Sequence, residues 1–460
     1  MLHPLIHAKP EIFDQEGWHY EIGESGEPSY KGVVFNEMKG AFASPDTLLE
    51  GEMHRRLFPD TCYRFVSGGD PARIPELAYE QFAAAHRRLY HPSNAYIFLD
   101  GNLDINQILS ILDEEFLSAY DRAPAPPEIP MQQPVNAGRS EICYELSPQE
   151  DLAGRERLAF VHVACTFRDR EDITALRVLA DLLCGDNQAP LKRRMLESGL
   201  TKDVQMSLRD GLQQPWVLLE ARDIAEGRTE KTASVLRGEL ERLSREGLDH
   251  QRIFAALDNL EFQMRQRDYG RMPQGLVFGF QVLESWLYGG DPAANLSVGG
   301  LFDSLRKKCG EGYFEQLLKK TLLENPHTCQ VLMQPSHTLS QERQAEETAR
   351  LHAARDGWSA ADLEALCQRQ VQIEAWQSTP DASEALASIP MLRLEEIPAE
   401  PERLPQEEAS ADGLPVLRHA LPTGGITYLN LYFALDDLST EQLTKTAFLC
   451  ELLGSLDTAV

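Results

Sequence analysis

The side chains in this chain that could do chemistry are few and scattered. Glu37 is an acid set beside the apolar run Val33-Val34-Phe35, in the stretch YKGVVFNEMKG from Tyr30 to Gly40. Ionised carboxylates are seldom buried without a partner. Glu37 therefore either lies on the solvent face of an ordinary helix or faces a metal. His86 and His91, in HRRLYH, are five residues apart. On a helix that is a rotation of about 500°, some 140° off a common face, so this pair cannot chelate one ion on a regular helix. Neither His-x-x-Glu-His nor His-Glu-x-x-His occurs anywhere in the sequence. His162 sits inside the apolar run LAFVHVACTF with no second ligand at metal spacing, and reads as a satisfied core histidine. The eight cysteines, at 62, 143, 165, 184, 309, 329, 367 and 450, form no C-x-x-C pair. Several lie in apolar runs, notably Cys165 and Cys184, and read as reduced, buried thiols.

The elements that must position these groups follow from periodicity. A turn over Glu24–Ser29 leads into a helix expected to carry Val33, Val34 and Met38 inward. Ile74–Tyr90 reads as a helix with Leu77, Phe82, Ala85 and Leu89 on one face, ended by His91-Pro92. Ala95–Asp100 reads as a strand, and Asp104 as the cap of a helix bearing Ile108, Ile111, Leu112 and Phe116. Leu158–Phe167 is a nearly continuous apolar strand, hence a buried one. Helices are expected over Glu171–Cys184 (Ile173, Leu176, Leu179 and Leu183 inward), Thr232–Glu246 and Asp249–Arg267, and a short strand over Thr328–Met333. Gln214–Glu220 and Gly270–Pro292 could line a cavity. Two polar helices, Ser340–Arg355 and Ser359–Gln377, read as a surface or bridging hairpin, with Ser359 and Asp362 as a capping box. Val416–Ala434 reads as strands around a Thr423-Gly424-Gly425 turn, followed by a helix from Glu441.

The 460 residues suggest about three domains. Pro-dense stretches then set the expected organisation: residues 1–121, a linker at 122–134, a domain at 135–335, the hairpin at 336–378, an acidic Pro-rich linker at 379–415, and a third unit at 416–460. Limited proteolysis is expected first at the two linkers. No apolar run reaches the length of a membrane span, and the first residues lack the basic and apolar regions of a signal peptide. The net charge of −28 argues against nucleic-acid binding, since nothing would neutralise phosphates. It serves solubility, and would attract cationic peptides at long range.

Several segments, in order, carry a resemblance. They are EIFDQEGWHYE (Glu11–Glu21), YKGVVFNEMKG, LFPDTCYRFVSGGDPARIPELAYEQF (Leu57–Phe82), YHPSNAYIFLDGNLD (Tyr90–Asp104), GRMPQGLVFGFQVLESWLYGGDP (Gly270–Pro292) and LPTGGITYLNLYFALDDL (Leu421–Leu438). Together they resemble the presequence-protease branch of the insulinase and pitrilysin-like zinc metallopeptidases. The resemblance implies an α+β fold of repeated insulinase-like domains, each a mainly antiparallel sheet packed with helices, joined by a helical hairpin linker. It implies a zinc ion held by two His of a His-x-x-Glu-His helix and a distal Glu, with the Glu between the His as general base. The distal Glu stands in the NEMKG segment and maps onto Glu37. Some branches place a second acid seven residues earlier, but Tyr30 stands there, so none is carried over.

Because the His motif is absent, the chain is expected to be an internal piece of a longer peptidase. It would begin after the catalytic helix, stop inside the third domain, and be inactive and zinc-poor by itself. The implied substrates are short unfolded peptides, and the implied compartment is a bacterial-type cytoplasm or an organelle such as the mitochondrial matrix. The alternative is a non-catalytic partner subunit of the same family that holds a peptide or protein.

Overall fold

The computed structural model describes residues 4–124, 127–401 and 403–453. Its contacts divide into two units, Met1–Ile397 and Pro398–Val460.

The first unit is built on a five-stranded sheet of order β3-β7-β4-β6-β5, formed by β3 (Asn136–Glu145), β4 (Glu156–Val163), β5 (Asp203–Arg209), β6 (Trp216–Ile224) and β7 (Thr328–Ser336). Only β3 and β7 pair in parallel; the other pairings are antiparallel. β4 is interior to this sheet, and both of its faces are covered. Leu158 packs in a core with α6 (Arg170–Cys184), α7 (Pro190–Glu197), α8 (Thr229–Glu246) and α9 (His250–Gln266). Ala159, Val161 and Val163 face α3 (Pro45–Leu57) instead. Two buried faces are why this strand reads as continuously apolar. α6 buries Leu176, Leu179 and Leu183, while Ile173 is only half-buried. Asp249 caps α9, accepting from the amides of Gln251 and Arg252. α10 (Gln274–Trp286), α11 (Leu301–Cys309) and α12 (Tyr313–Leu318) complete the helices before β7.

Ahead of the sheet lie α1 (Glu11–Glu16), the hairpin β1 (His19–Ile22) with β2 (Pro28–Lys31), α2 (Val33–Ala41), α4 (Tyr79–Leu89) and α5 (Ile105–Glu115). Gly32, between β2 and α2, has φ +135°, and a Cβ there would meet the Gly17 carbonyl oxygen at 2.3 Å. The hairpin can turn into α2 at this point only through glycine. Three expectations fail in this region. The helix over Ile74–Tyr90 is a 3-10 turn at Ile74–Glu76 followed by α4, and Leu77 and Leu89 are exposed. Pro75 and the extended Leu77–Ala78 backbone separate the two pieces. Ala95–Asp100 is not a strand, because no described strand pairs with it; Tyr96, Ile97 and Leu99 are exposed. The segment lies instead along α10, with Tyr96 edge-on to Trp286 at 4.8 Å and Phe98 against Gly279. α5 is capped by Asp104 through the Gln107 amide at 3.1 Å, but it buries no residue. Its apolar face is amphipathic without a partner among the described residues.

α13 (Leu339–Asp356) and α14 (Ala360–Ser378) form the hairpin after the sheet. Ser359 and Asp362 make the reciprocal capping box. Each helix buries a single residue, Leu351 and Ile373 respectively, so the pair bridges rather than fills a core. Beyond it, α15 (Ser383–Ala387) and the exposed stretch after it end this unit.

In the second unit, β8 (Glu407–Ala411) pairs with β9 (Leu414–Arg418) around Asp412 (φ 50°) and Gly413 (φ 86°). Both central residues at positive φ is the type I′ hairpin geometry that Asp-Gly favours. The Thr423 turn forms, with the Ile426 amide donating to the Thr423 carbonyl. The strands expected on either side of it do not: beyond Arg418 none is described over 419–434, and Tyr432 and Phe433 are exposed. A strand needs a hydrogen-bonded neighbour, and none of the described residues supplies one. α16 (Thr440–Leu452) is capped by Ser439 with Gln442.

Candidate functional site

Glu37 stands on the face of α2 that no described residue covers. The opposite face buries Phe35 and Met38 in a cluster with Tyr30, Ile74 and Leu351 of α13. Lys39 reaches Glu347 of α13 at 2.8 Å, a second tie to the hairpin. Glu37 itself is exposed and makes no side-chain hydrogen bond or ion pair among the described residues. Val33, one turn earlier, is 50% exposed on the same side, contrary to the expectation that it points inward; Val34 is half-buried. Phe35 takes the inward place because the helix begins at Val33, which puts positions 35 and 38 on the buried side. Among the described residues, no group of three His, Cys, Asp or Glu side chains could hold a metal ion. A catalytic zinc takes three protein ligands and a water. Glu37 could supply one ligand to such a set; these residues by themselves do not fit the ion.

Two family descriptions match the chain. One is "Peptidase M16 inactive domain", over residues 76–260. The other is the region associated with subfamily C of the M16 peptidases, over residues 333–460. Protein HypA of Clostridium perfringens is 34% identical over 460 residues, covering 100% of this chain and 47% of that protein. Presequence protease 1, chloroplastic/mitochondrial, of Arabidopsis thaliana is 33% identical, covering 97% of this chain and 42% of that protein. The chain belongs to the M16 peptidase family. It spans a little under half the length of these two relatives. A conserved protein from Enterococcus faecalis V583 shares the fold, with a TM-score of 0.51 at 11% identity over 66% of this chain and 67% of that one.

The other groups singled out in this M16 chain hold structural places. His86 bonds His7 ring to ring at 3.1 Å and stacks on Tyr90, while His91 accepts from the Ser93 amide. The two rings serve different partners and do not converge. His162 is buried, and burial pushes its pKa down to about 4; it stays neutral near neutral pH. It is not fully satisfied, since Nδ1 has no partner among the described residues. All eight cysteines are free, but four of them (Cys62, Cys143, Cys367 and Cys450) are exposed, not buried. Burial pushes the Cys165, Cys184 and Cys329 thiols up to about 12, which removes thiolate chemistry there.

Of the two stretches expected to line a cavity, one residue of the first (Pro215) and two of the second (Gln281 and Glu284) do so. They meet around a polar cavity of about 100 Å³. Burial, then the nearby Asp210 charge, push the Glu284 carboxyl up to about 7. Asn295 donates to it at 3.3 Å.

Sequence reasoning missed the joint at Gln132. It lies in the linker expected to be open, yet is 3% exposed. Its side chain accepts from the Asp60 amide at 3.0 Å and donates to the Asp60 carboxylate at 2.9 Å. Its backbone exchanges two bonds with the Gln214 side chain, at 2.8 and 3.1 Å. The joint ties the segment after α3, the linker and the β5–β6 loop together. The only sequence signal was three glutamines at 132, 133 and 214 near Pro residues, which is too weak to find it.

Proposed function

We propose that this chain is part of a zinc metalloendopeptidase that degrades short unfolded peptides, and that Glu37 is its distal metal ligand. The observation that carries the reading is the state of Glu37: exposed, free of protein partners among the described residues, and standing beside exposed Val33 on a helix fixed from behind. A carboxylate held in place but left unpaired is available to a cation. The names of the relatives, presequence proteases among them, support the substrate class. When bound, zinc would lower the pKa of a water and polarise the scissile carbonyl. The His pair and general base would come from sequence this chain does not contain, and the sheet and hairpin would form part of the wall around the peptide. A bacterial-type cytoplasm suits the likeness to HypA, an organelle matrix the likeness to the presequence proteases.

The test uses the chain joined to a polypeptide carrying His-x-x-Glu-His. Glu37→Gln keeps size and hydrogen bonding but removes the charge, and zinc content and peptide cleavage are both expected to fall by about tenfold or more. Glu50→Gln, an exposed acid on α3, is the control. Full zinc and full cleavage in Glu37→Gln would return Glu37 to an ordinary helical acid. The second reading, a non-catalytic subunit that holds peptide, draws on the "inactive domain" description over residues 76–260. It would be favoured if the joined protein binds peptide but neither zinc nor cleavage appears.

A further inference from the structure

Three cavities share walls along α14. One of about 260 Å³ begins at Val33 and Asn36 of α2. It shares His19, Gln370 and Ile373 with one of about 510 Å³ between α1, β1, the start of α4 and α14. That one shares Leu366 and Arg369 with a third of about 530 Å³ beside Trp358. The result is one cleft, running from the residue next to Glu37 to the far end of the hairpin.

Its walls have a definite chemistry. Trp18, Tyr20, Tyr79 and Trp358 present aromatic surface, with Tyr20 and Trp358 edge to face at 4.9 Å. Five carboxylates line it (Asp14, Glu21, Glu80, Asp362 and Glu374) against two cations, Lys31 and Arg369. Both cations are already engaged: Lys31 with Glu21 at 3.2 Å, and Arg369 with Asp14 at 2.6 Å. Asp362 is turned into its capping box. Glu80 and Glu374 remain, both exposed and without an ion-pair partner among the described residues. Aromatic faces beside unneutralised carboxylates suit guanidinium and ammonium groups, which stack on the ring and pair with the acid.

We propose that this cleft binds an extended peptide bearing Arg or Lys side chains, with Glu80 and Glu374 as the acids that receive them. The inference rests on the peptide-binding part of the reading above, and on none of its zinc chemistry. The cleft would set which peptides are retained, since charge complementarity favours basic segments and rejects acidic ones.

The test is a titration of the chain with a fluorescein-labelled peptide, Ac-ARLARLAR-NH2, in chelator-containing buffer. Ac-AELAELAE-NH2 is the acidic counterpart. The basic peptide is expected to bind and the acidic one not to. Glu80→Gln with Glu374→Gln should weaken binding about fivefold, the sum of two part-exposed pairs. The control pair Glu226→Gln with Glu311→Gln changes net charge equally on exposed acids outside the cleft. Its effect should stay under about twofold, reporting only long-range attraction. Equal weakening by both pairs, binding of both peptides alike, or no binding of the basic peptide would each overturn the proposal. Because no metal is present, loss of zinc binding in Glu37→Gln and loss of peptide binding here are separate outcomes.

Discussion

Gln132→Ala should open the joint between the segment after α3 and the sheet. The substitution removes the two side-chain bonds to Asp60 and leaves the two backbone bonds to Gln214 in place. A neutral hydrogen bond contributes about 1 kcal/mol net and one to a charged group about 1.5–3. Asp60 is exposed, which weakens the charged bond through solvent screening. A loss of about 2 kcal/mol in the local opening free energy follows. Each 1.4 kcal/mol is a factor of ten, so the open fraction rises about 30-fold. Native-state hydrogen exchange reads this at the amide of residue 132, which still donates to the Gln214 side chain in the variant. Its exchange should accelerate about 30-fold, while amides of β4 keep their protection. An unchanged rate at residue 132 would show that the Asp60 bonds hold nothing in place, and that packing alone closes the linker.

The buried His162 gives a pH dependence. Its folded pKa of about 4 lies below the ordinary 6.5, so the unfolded chain binds the extra proton. The stability it contributes is full above about pH 6.5 and is lost as pH falls towards 4, by about 3 kcal/mol in all. The difference between wild type and His162→Gln unfolding across that window should show it, and a measured His162 pKa near 6.5 would remove it. Limited proteolysis should cut first in the exposed stretch Ser388–Ile397, and more slowly around Gln132, whose side chain is buried. Early cutting at residues 129–133 would contradict the joint.

Much of the sheet unit was legible because its signals are local and redundant. β4 is apolar at nearly every position, α6 repeats at helical spacing up to Gly185, and Asp249 and Ser359 cap their helices as their types favour. The hairpin's polarity likewise foretold two helices that bury one residue each. The errors lie where a segment depends on something distant. Ala95–Asp100 has strand-like residues but no described neighbour to pair with, and rests on α10 instead. The Asp412-Gly413 turn is a local hairpin signal, obscured by its place inside an acidic Pro-rich stretch.

By itself the sequence determined the family resemblance, the absence of a His-x-x-Glu-His motif and the choice of Glu37, since all three depend on residue order alone. Only the tertiary structure decided which side of α2 carries Glu37. The helix begins at Val33, so Phe35 and Met38 turn towards Tyr30 and Leu351, and Glu37 is left outward with Val33. Nor could residue order show that Gln132 meets Asp60 and Gln214, 72 and 82 residues away, or that three cavities join along α14. Hydrogen bonds and clefts of this kind form between segments far apart in the chain, and their partners are chosen by how the helices and sheet pack rather than by any local pattern.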